Sequence, residues 1–589
     1  MSALLFLLVA EVIAIQIRYN TNIKGIKIGN SEVKIKMMAD DTTLILQDLS
    51  SVELAIKDFN EFSKCSGLKL NLQKTEIIPI GSNIYKQMQK TVCEIKFKKG
   101  PFKTLGIWFS NNDIEMIDLN FNERIEKIKK MLDIWRSRNL SLRGKITILK
   151  SLVLPQILFL FNLIYVPKRV LDQIEELFFN FLWNGKPSKI KRNTIVGPIS
   201  SGGLKMVDIY ISHKVAKAMW IKRLTSIEQC HWKTLFLEMM QIEETLLNKK
   251  LDNAFLKRCV TPFHKQVLES WTEIYSSKPS NTREILNEYI LYNKHIIIAK
   301  KTLSIDRFPN TFGNNVKIID ILDDNGDILK RSLLNERLSS NISQMTYNSL
   351  LSAIPKEWKR KLKEKSVNMT DKLTDSIKLK CNDVFISLDK ITSKKMYNEL
   401  IQRLVVPPIA IENWIDIYPF LEKHDWKYTF TLPSVVAKET YLQSFQYKIV
   451  TRILNCNYNL YKWGIKTSPA CEYCCEVDTI THHLYECCEV ETFWNQVQLW
   501  IYDKLEVMLH FTVCEILFGV IESDDLIRVI NYIILYGKLY INKQRTYGKK
   551  LTLSEFISKL KDKIKIILSL DQINECKDIA SPFFELLIQ

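Results

Sequence analysis

The cluster "CEYCCEVDTITHHLYECC" (471–488) has the residue types and spacing of a metal site. Read as C-x2-C-x8-H-x4-C, it selects four ligands: Cys471, Cys474, His483 and Cys488. Three thiolates and an imidazole make a closed tetrahedral zinc site, in which a C-x2-C turn brings two sulfurs to one ion. A competing set is shifted by one residue: Cys475, His482 and Cys487. The alternative to a zinc site is a group of buried thiols that bind no metal. If zinc does bind, such a structural site would stabilise a small domain without being catalytic.

An adjacent pair of carboxylates, Asp40 and Asp41, is the second feature with chemical potential. Residues 33–38 and 42–47 each alternate apolar and polar side chains, which predicts a hairpin with Ala39-Asp40-Asp41 between its strands. Carboxylates at a hairpin tip can bind the two Mg²⁺ ions that stabilise the attacking and leaving oxygens of a phosphoryl transfer. Asp also favours turns for its own backbone hydrogen bonds, so the spacing alone favours a plain turn.

Positive charge is concentrated in one part of the chain. The whole sequence has 83 Lys and Arg against 65 Asp and Glu, a net +18, which favours a polyanionic partner. Residues 121–200 hold 15 of the basic and 6 of the acidic residues. Candidate nucleic-acid-binding residues there are Arg136, Arg138, Arg143, Lys145, Lys189, Lys191 and Arg192. The alternative is a solvated helix face.

The elements that must position these residues change in type along the chain. A helix is predicted at about 51–65, a strand in "SGLKLNLQKTEIIPIG" and another in "FKTLGIWFS". From about residue 120 the apolar period becomes helical, with one stripe: Ile125, Ile128, Leu132 and Trp135. The pattern therefore predicts an α+β portion followed by a mainly helical one.

The N-terminal run "MSALLFLLVAEVIAI" superficially resembles a secretory signal. It lacks the basic residues that begin a signal peptide, and Glu11 interrupts its apolar run, so we interpret it as a buried helix. No other stretch has the length of apolar sequence that a membrane span needs. Thirteen cysteines are too sparse for a disulfide framework, which favours an intracellular protein.

Within this context "MADDTTLILQD" resembles the Ala-Asp-Asp hairpin of reverse transcriptases, with Met38 where that family usually has an aromatic residue. Other segments resemble LINE-type non-LTR retrotransposon polymerases in the order of their motifs. These are "SALLFLLVAEVIAIQIR" and "GLKLNLQKTEII" of the palm, "KTLGIWFS" before the thumb, "WRSRNLSLRGKITILKSLVLPQILF", "FFNFLWNGKPSKIKR" and "SGGLKMVD" of the thumb and following helices, and "LSAIPKEWK", "SFQYKIVTRILNCNYNLYKWGIK" and the cysteine cluster of the C-terminal region.

The resemblance implies an α+β fold with five regions. These are a partial reverse-transcriptase palm (1–115), a helical basic thumb (116–205), a mainly helical scaffold (206–450), a zinc-knuckle region (451–510) and C-terminal helices (511–589).

The resemblance also implies RNA-directed DNA synthesis on an RNA template with a DNA primer or target. Asp40 would bind Mg²⁺ with Asp41 beside it, Lys74 would lie near the incoming triphosphate, and the Cys/His knuckle would hold Zn²⁺ and help to grip RNA. The expected location is the nucleus or a cytoplasmic ribonucleoprotein.

The family also carries an earlier palm aspartate, whereas residues 1–39 contain only Glu11 and Glu32 as acids. Three hypotheses follow. The chain is a polymerase fragment that is inactive alone, or a remnant that only binds RNA or DNA, or part of a longer active protein. A partner subunit or a longer polyprotein could supply the missing palm.

Overall fold

The computed structural model describes residues 2–588 except positions 30, 81–94, 96, 99, 229, 276–277, 280, 306–312, 314, 365–376, 382–383, 522–523 and 574–580. The described chain is mostly helical, with short strands paired two by two in antiparallel hairpins. This composition agrees with the predicted α+β class. The chain divides into two compact units. Unit 1 holds 1–123, 160–166 and 213–396, and unit 2 holds 124–159, 167–212 and 397–589.

The strands are β1 (Ile26–Ile28), β2 (Ser31–Val33), β3 (Ile35–Met38), β4 (Asp41–Leu44), β5 (Phe102–Thr104), β6 (Ile107–Phe109), β7 (Ile297–Ile298), β8 (Lys301–Thr302), β9 (Lys378–Cys381) and β10 (Val384–Ser387). Each odd-numbered strand pairs with the strand that follows it.

The first helices are α1 (Ser2–Tyr19), α2 (Leu49–Ser66), α3 (Asp113–Arg136), α4 (Leu142–Ile148), α5 (Leu154–Leu163), α6 (Lys168–Trp183), α7 (Arg192–Ile195), α8 (Ile209–Leu224), α9 (His231–Met240), α10 (Asn253–Leu256), α11 (Pro262–Tyr275) and α12 (Thr282–Leu286).

The later helices are α13 (Arg331–Arg337), α14 (Gln344–Ala353), α15 (Lys356–Lys363), α16 (Ser393–Leu404), α17 (Ala410–Ile417), α18 (Trp426–Val436), α19 (Thr440–Val450), α20 (Asn457–Lys462), α21 (Cys488–Leu505), α22 (Val513–Phe518), α23 (Asp525–Thr546), α24 (Leu553–Ile573) and α25 (Ser581–Ile588).

The predicted hairpin of unit 1 is present as β3 and β4, and it packs with α1 and α2. Their shared core consists of Ile13, Ala14, Ile17, Ile23, Ile35 and Ala55. Helix α2 begins where the Asp48 carboxylate accepts the Ser51 N–H, and it ends at Gly67 with a φ of 75°. These caps explain why the predicted helix at 51–65 forms with nearly those bounds.

Two strand expectations need correction. The segment "FKTLGIWFS" forms a hairpin, because Leu105 and Gly106 both adopt positive φ values, 47° and 81°, and reverse the chain between β5 and β6. Residues 68–76 form no strand. They follow the end of α2 in an irregular path, with an isolated bridge at Ile77.

Helix α1 is present, but it is buried only on one side. Ala10, Ile13, Ala14 and Ile17 pack inward, whereas Leu4, Leu5 and Leu8 are 69%, 58% and 68% exposed. The predicted buried helix is therefore buried on one face only, because β3 and α2 cover that face.

Unit 2 contains a large apolar core built from its C-terminal helices. Helix α23 crosses α21 closely because Gly537 lies beneath the Trp494 ring. A Cβ atom at position 537 would lie 2.6 Å from that ring. The predicted stripe of α3 also packs, with Ile125, Ile128 and Leu132 buried.

The continuous helical stretch Leu142–Leu163 is long and apolar enough to cross a membrane, judged by its length and composition. A third of its most apolar window is buried in the fold, and core helices of soluble proteins pass the same test. It is therefore weak evidence of a membrane span.

Candidate metal centre and basic surface

Four side chains of the cysteine cluster converge with the geometry of a metal site. The ligand atoms of Cys471, Cys474, His482 and Cys487 all lie within 4.8 Å of one another. The sulfurs of Cys471 and Cys487 are 3.9 Å apart, and Cys474 Sγ lies 3.2 Å from His482 Nε2. A tetrahedral zinc with Zn–S bonds of about 2.3 Å needs ligand separations of roughly 3.8 Å. The donor set and its spacing therefore fit Zn²⁺.

A tight turn places the first two sulfurs. The Cys471 N–H donates to the Glu476 carbonyl at 2.7 Å, and the Cys475 N–H donates to the Cys471 carbonyl at 3.1 Å. Cys475 adopts a φ of 66°, the left-handed conformation that reverses the chain, and its side chain is exposed. Cys475 thus shapes the turn and contributes no ligand.

The other two ligands differ from the predicted ones, because the chain forms a π-helical turn over His482–Glu486. The Cys487 N–H donates to the His482 carbonyl at 3.2 Å, which closes this wider turn and puts residues five apart on one side. His482 and Cys487, which belong to the competing set, therefore take the places of His483 and Cys488, while Cys471 and Cys474 of the first set are retained. Cys488 is exposed as the first residue of α21.

A buried network of polar and charged side chains contacts the four candidate ligands, which we call the Cys3His quartet. Asp478 accepts hydrogen bonds from His483 Nδ1 at 3.1 Å and from the Arg545 guanidinium at 3.0 Å. The same guanidinium donates to Cys471 Sγ at 2.9 Å. The side chains of Asp478, His483 and Arg545 are 2%, 6% and 5% exposed. Helix α23 is therefore tied directly to a ligand sulfur.

The protein environment favours the thiolate at one ligand. Burial opposes ionisation of Cys471, but the N–H groups of Tyr473 and Cys474, then His482 and Arg545, lower its pKa to about 6. Burial raises the pKa of Cys474 to about 11. A metal ion that binds here would displace the proton from Cys474, since only the thiolate is a ligand.

The aspartate pair lies at the exposed tip of the β3–β4 hairpin. Met38 pairs with Asp41, so Ala39 and Asp40 form the two-residue turn, and Ala39 adopts a φ of 52°. Both carboxylates are exposed. Within the described part of the chain they belong to no group of three or more ligating side chains. Lys74 is exposed as well, in the irregular segment after α2.

Two of the predicted phosphate-binding residues are engaged inside unit 2. Lys145 is 6% exposed, and its ammonium donates to the carbonyls of Phe181 and Leu182 and to Asn184 Oδ1. Arg143 is half-buried and donates to Ser434 Oγ and Gln443 Oε1. The structure corrects the prediction for Lys145, because its charge caps the end of α6 and is not available to a phosphate.

The other five predicted basic residues are exposed, and we call them the basic surface of unit 2: Arg136, Arg138, Lys189, Lys191 and Arg192. Arg136 pairs with Asp133 at 2.9 Å, and Arg138 lies over the Trp135 ring. Arg192 pairs with Glu175, and Lys189 lies over the Trp463 ring. These pairs are accessible to solvent, where ion pairs are weak, so a phosphate can compete for the cations.

Sequence reasoning missed Asp478 and Arg545. Asp478 lies inside the cysteine cluster and could have been singled out as a candidate partner for a histidine. Arg545 has no such signal, because only folding brings α23 to the cluster.

Comparisons with known proteins give partial similarities, and no protein-family model matches the chain. A transposon TX1 uncharacterized 149 kDa protein from Xenopus laevis is 24% identical over 280 residues, which cover 46% of this chain and 21% of that protein. A putative ribonuclease H protein from Arabidopsis thaliana is 26% identical over 89 residues, 14% of each chain. The matched regions span at most about a fifth of these relatives. Over nearly half of its length, the chain is therefore similar to a transposon-encoded protein.

Proposed function

We propose that this chain is a reverse-transcriptase-derived part of a LINE-type retrotransposon protein and that it binds RNA or DNA through the basic surface of unit 2. The exposed cations of that surface carry the proposal, because they remain accessible after folding. The similarity to a transposon protein and the ordered polymerase-like motifs support the same origin. The Cys3His quartet supports a zinc-stabilised C-terminal region.

Polymerase activity requires a more complete site than nucleic-acid binding does. A two-metal phosphoryl transfer requires several carboxylates around both ions. Asp40 and Asp41 would supply two of these, and the described residues place no third ligand with them. Of the three hypotheses drawn from the sequence, this favours a protein that binds RNA or DNA without polymerase activity of its own, unless another chain segment or subunit supplies the remaining carboxylate.

Primer extension tests the proposal. The intact chain is mixed with an RNA template, an annealed DNA primer, deoxynucleotides and Mg²⁺, and binding of the primer–template is followed in parallel. We expect binding without extension. Extension that disappears in the Asp40→Ala, Asp41→Ala double variant would instead establish a complete polymerase site. Absence of both binding and extension would contradict the proposal.

A further inference from the structure

We propose that unit 2 carries a site for single-stranded nucleic acid where the loop after α6 meets α20. The site rests on the proposed function and specifies its substrate class. We call it the basic–aromatic platform, and its members are Lys186, Lys189, Lys448, Tyr458, Tyr461 and Trp463. Of these, only Lys189 is among the candidate residues named from the sequence: Lys448 lies outside the most basic segment, the three aromatic residues carry no charge, and Lys186 was not singled out within that segment.

A contact between distant parts of the chain builds the platform. Lys189 Nζ lies 3.2 Å from the centroid of the Trp463 ring, which holds the loop after α6 against the end of α20. Lys189 is exposed and Trp463 is partly exposed. The contact therefore fixes a cation at the surface beside an aromatic helix.

Stacking surfaces are present on that helix. Tyr458 and Tyr461 are three residues apart on α20, so they lie on the same side of it. Their exposed fractions are 39% and 49%. Because Trp463 directly follows α20, these tyrosines lie close along the chain to the Lys189–Trp463 contact. In the proposed site a base stacks on a tyrosine ring and the adjacent phosphates bind the lysines.

The positive charges of the platform lie close enough to repel one another. Partial burial and then the charges of Lys448 and Lys186 lower the pKa of Lys189 to about 8. After burial, the charges of Arg136 and Lys448 also lower the pKa of Lys145. The positive region therefore extends toward Arg136 at the end of α3. A polyanion would relieve this repulsion, which gives the platform charge complementarity to a nucleic-acid backbone.

A single strand fits better than a duplex or a membrane. A duplex hides the faces of its bases, whereas an unpaired base exposes a face to aromatic side chains. An acidic membrane would attract the lysines, but α20 is only six residues long and offers little apolar surface for insertion. Charge with exposed rings therefore favours single-stranded RNA or DNA.

The test measures binding of the intact chain to a labelled oligouridine and to an abasic oligomer of equal length. Tyr461→Leu should weaken oligouridine binding about tenfold and leave the affinity for the abasic oligomer unchanged. Tyr461→Phe keeps the aromatic ring and should retain the wild-type affinity for oligouridine. Tyr502→Leu is the matched control, since Tyr502 is 50% exposed on α21. Lys189→Gln should reduce the salt dependence, whereas Lys565→Gln on α24 should not.

The outcomes separate this inference from the proposed function. Wild-type binding that is unchanged by Tyr461→Leu and Lys189→Gln would overturn the platform and leave the proposed function intact. Absence of wild-type binding would overturn both. If both variants lose binding to anionic lipid vesicles but keep their oligouridine affinity, the platform is a membrane surface and the inference is wrong.

Discussion

At the scale of single residues, the metal centre is determined by which of two adjacent histidines and cysteines points inward. His482 and Cys487 reach Cys471 and Cys474, while His483 turns to Asp478. Tetrahedral coordination needs all four donors at once, so the neighbouring residues are not equivalent.

Adjacent cysteines provide a matched pair of variants for this assignment. We expect Cys487→Ser to lose the zinc and Cys488→Ser to retain about one zinc per chain, because Cys488 is exposed on α21. Metal analysis of the purified intact variants measures this difference. Loss of zinc from Cys488→Ser together with its retention by Cys487→Ser would restore the ligand set predicted from the sequence.

Arg545 is predicted to stabilise both the metal centre and the fold. Arg545→Leu removes the guanidinium that pairs with the buried Asp478, so we expect a loss of about 3–5 kcal/mol in the free energy of unfolding. Zinc affinity should fall about 10- to 100-fold, as for other hydrogen-bond partners of metal ligands. Denaturant unfolding and chelator competition measure the two effects. Arg528→Leu, on the same helix, is the control, because Arg528 is only half-buried and donates to the Val435 carbonyl instead of to Asp478 or Cys471. Equal effects at both positions would refute the assignment.

At the scale of elements, helix ends explain much of the local structure, and Lys145 is the clearest example. It lies on α4, yet its ammonium binds the last carbonyls of α6. The unpaired carbonyls at a helix C-terminus require such donors, and the helix dipole favours a positive charge there.

Lys145→Met should therefore change stability and leave binding intact. Loss of its hydrogen bonds should cost about 1–3 kcal/mol, with unchanged affinity for nucleic acid. Burial, then Arg136 and Lys448, lower the pKa of Lys145 from 10.5 to about 8. The unfolded chain thus binds this proton more tightly between these values, and wild-type stability relative to the variant should rise from pH 8 to 10.5. Denaturant unfolding across that range tests the sign, and weakened oligouridine binding by the variant would contradict the assignment.

At the scale of the whole molecule, the sequence predicted elements better than side-chain environments. The β3–β4 hairpin was predictable, because alternation and a turn agree locally. The π-helical turn was not, since the adjacent histidines and cysteines of "THHLYECC" fit either register and left two ligand sets open. Burial of Lys145 also depends on α6 and could not be predicted from the charge run alone. Local patterns determine an element, whereas its partners determine which side chains remain available.

The salt dependence of single-stranded RNA binding by the intact chain tests the central claim most directly. Each neutralised phosphate contributes roughly −0.7 to the slope of log K against log salt. With the three platform lysines engaged, the account predicts a slope of about −2, and a steeper one if other exposed cations of unit 2 also bind. Absence of binding, or an affinity that does not change with salt, would contradict it.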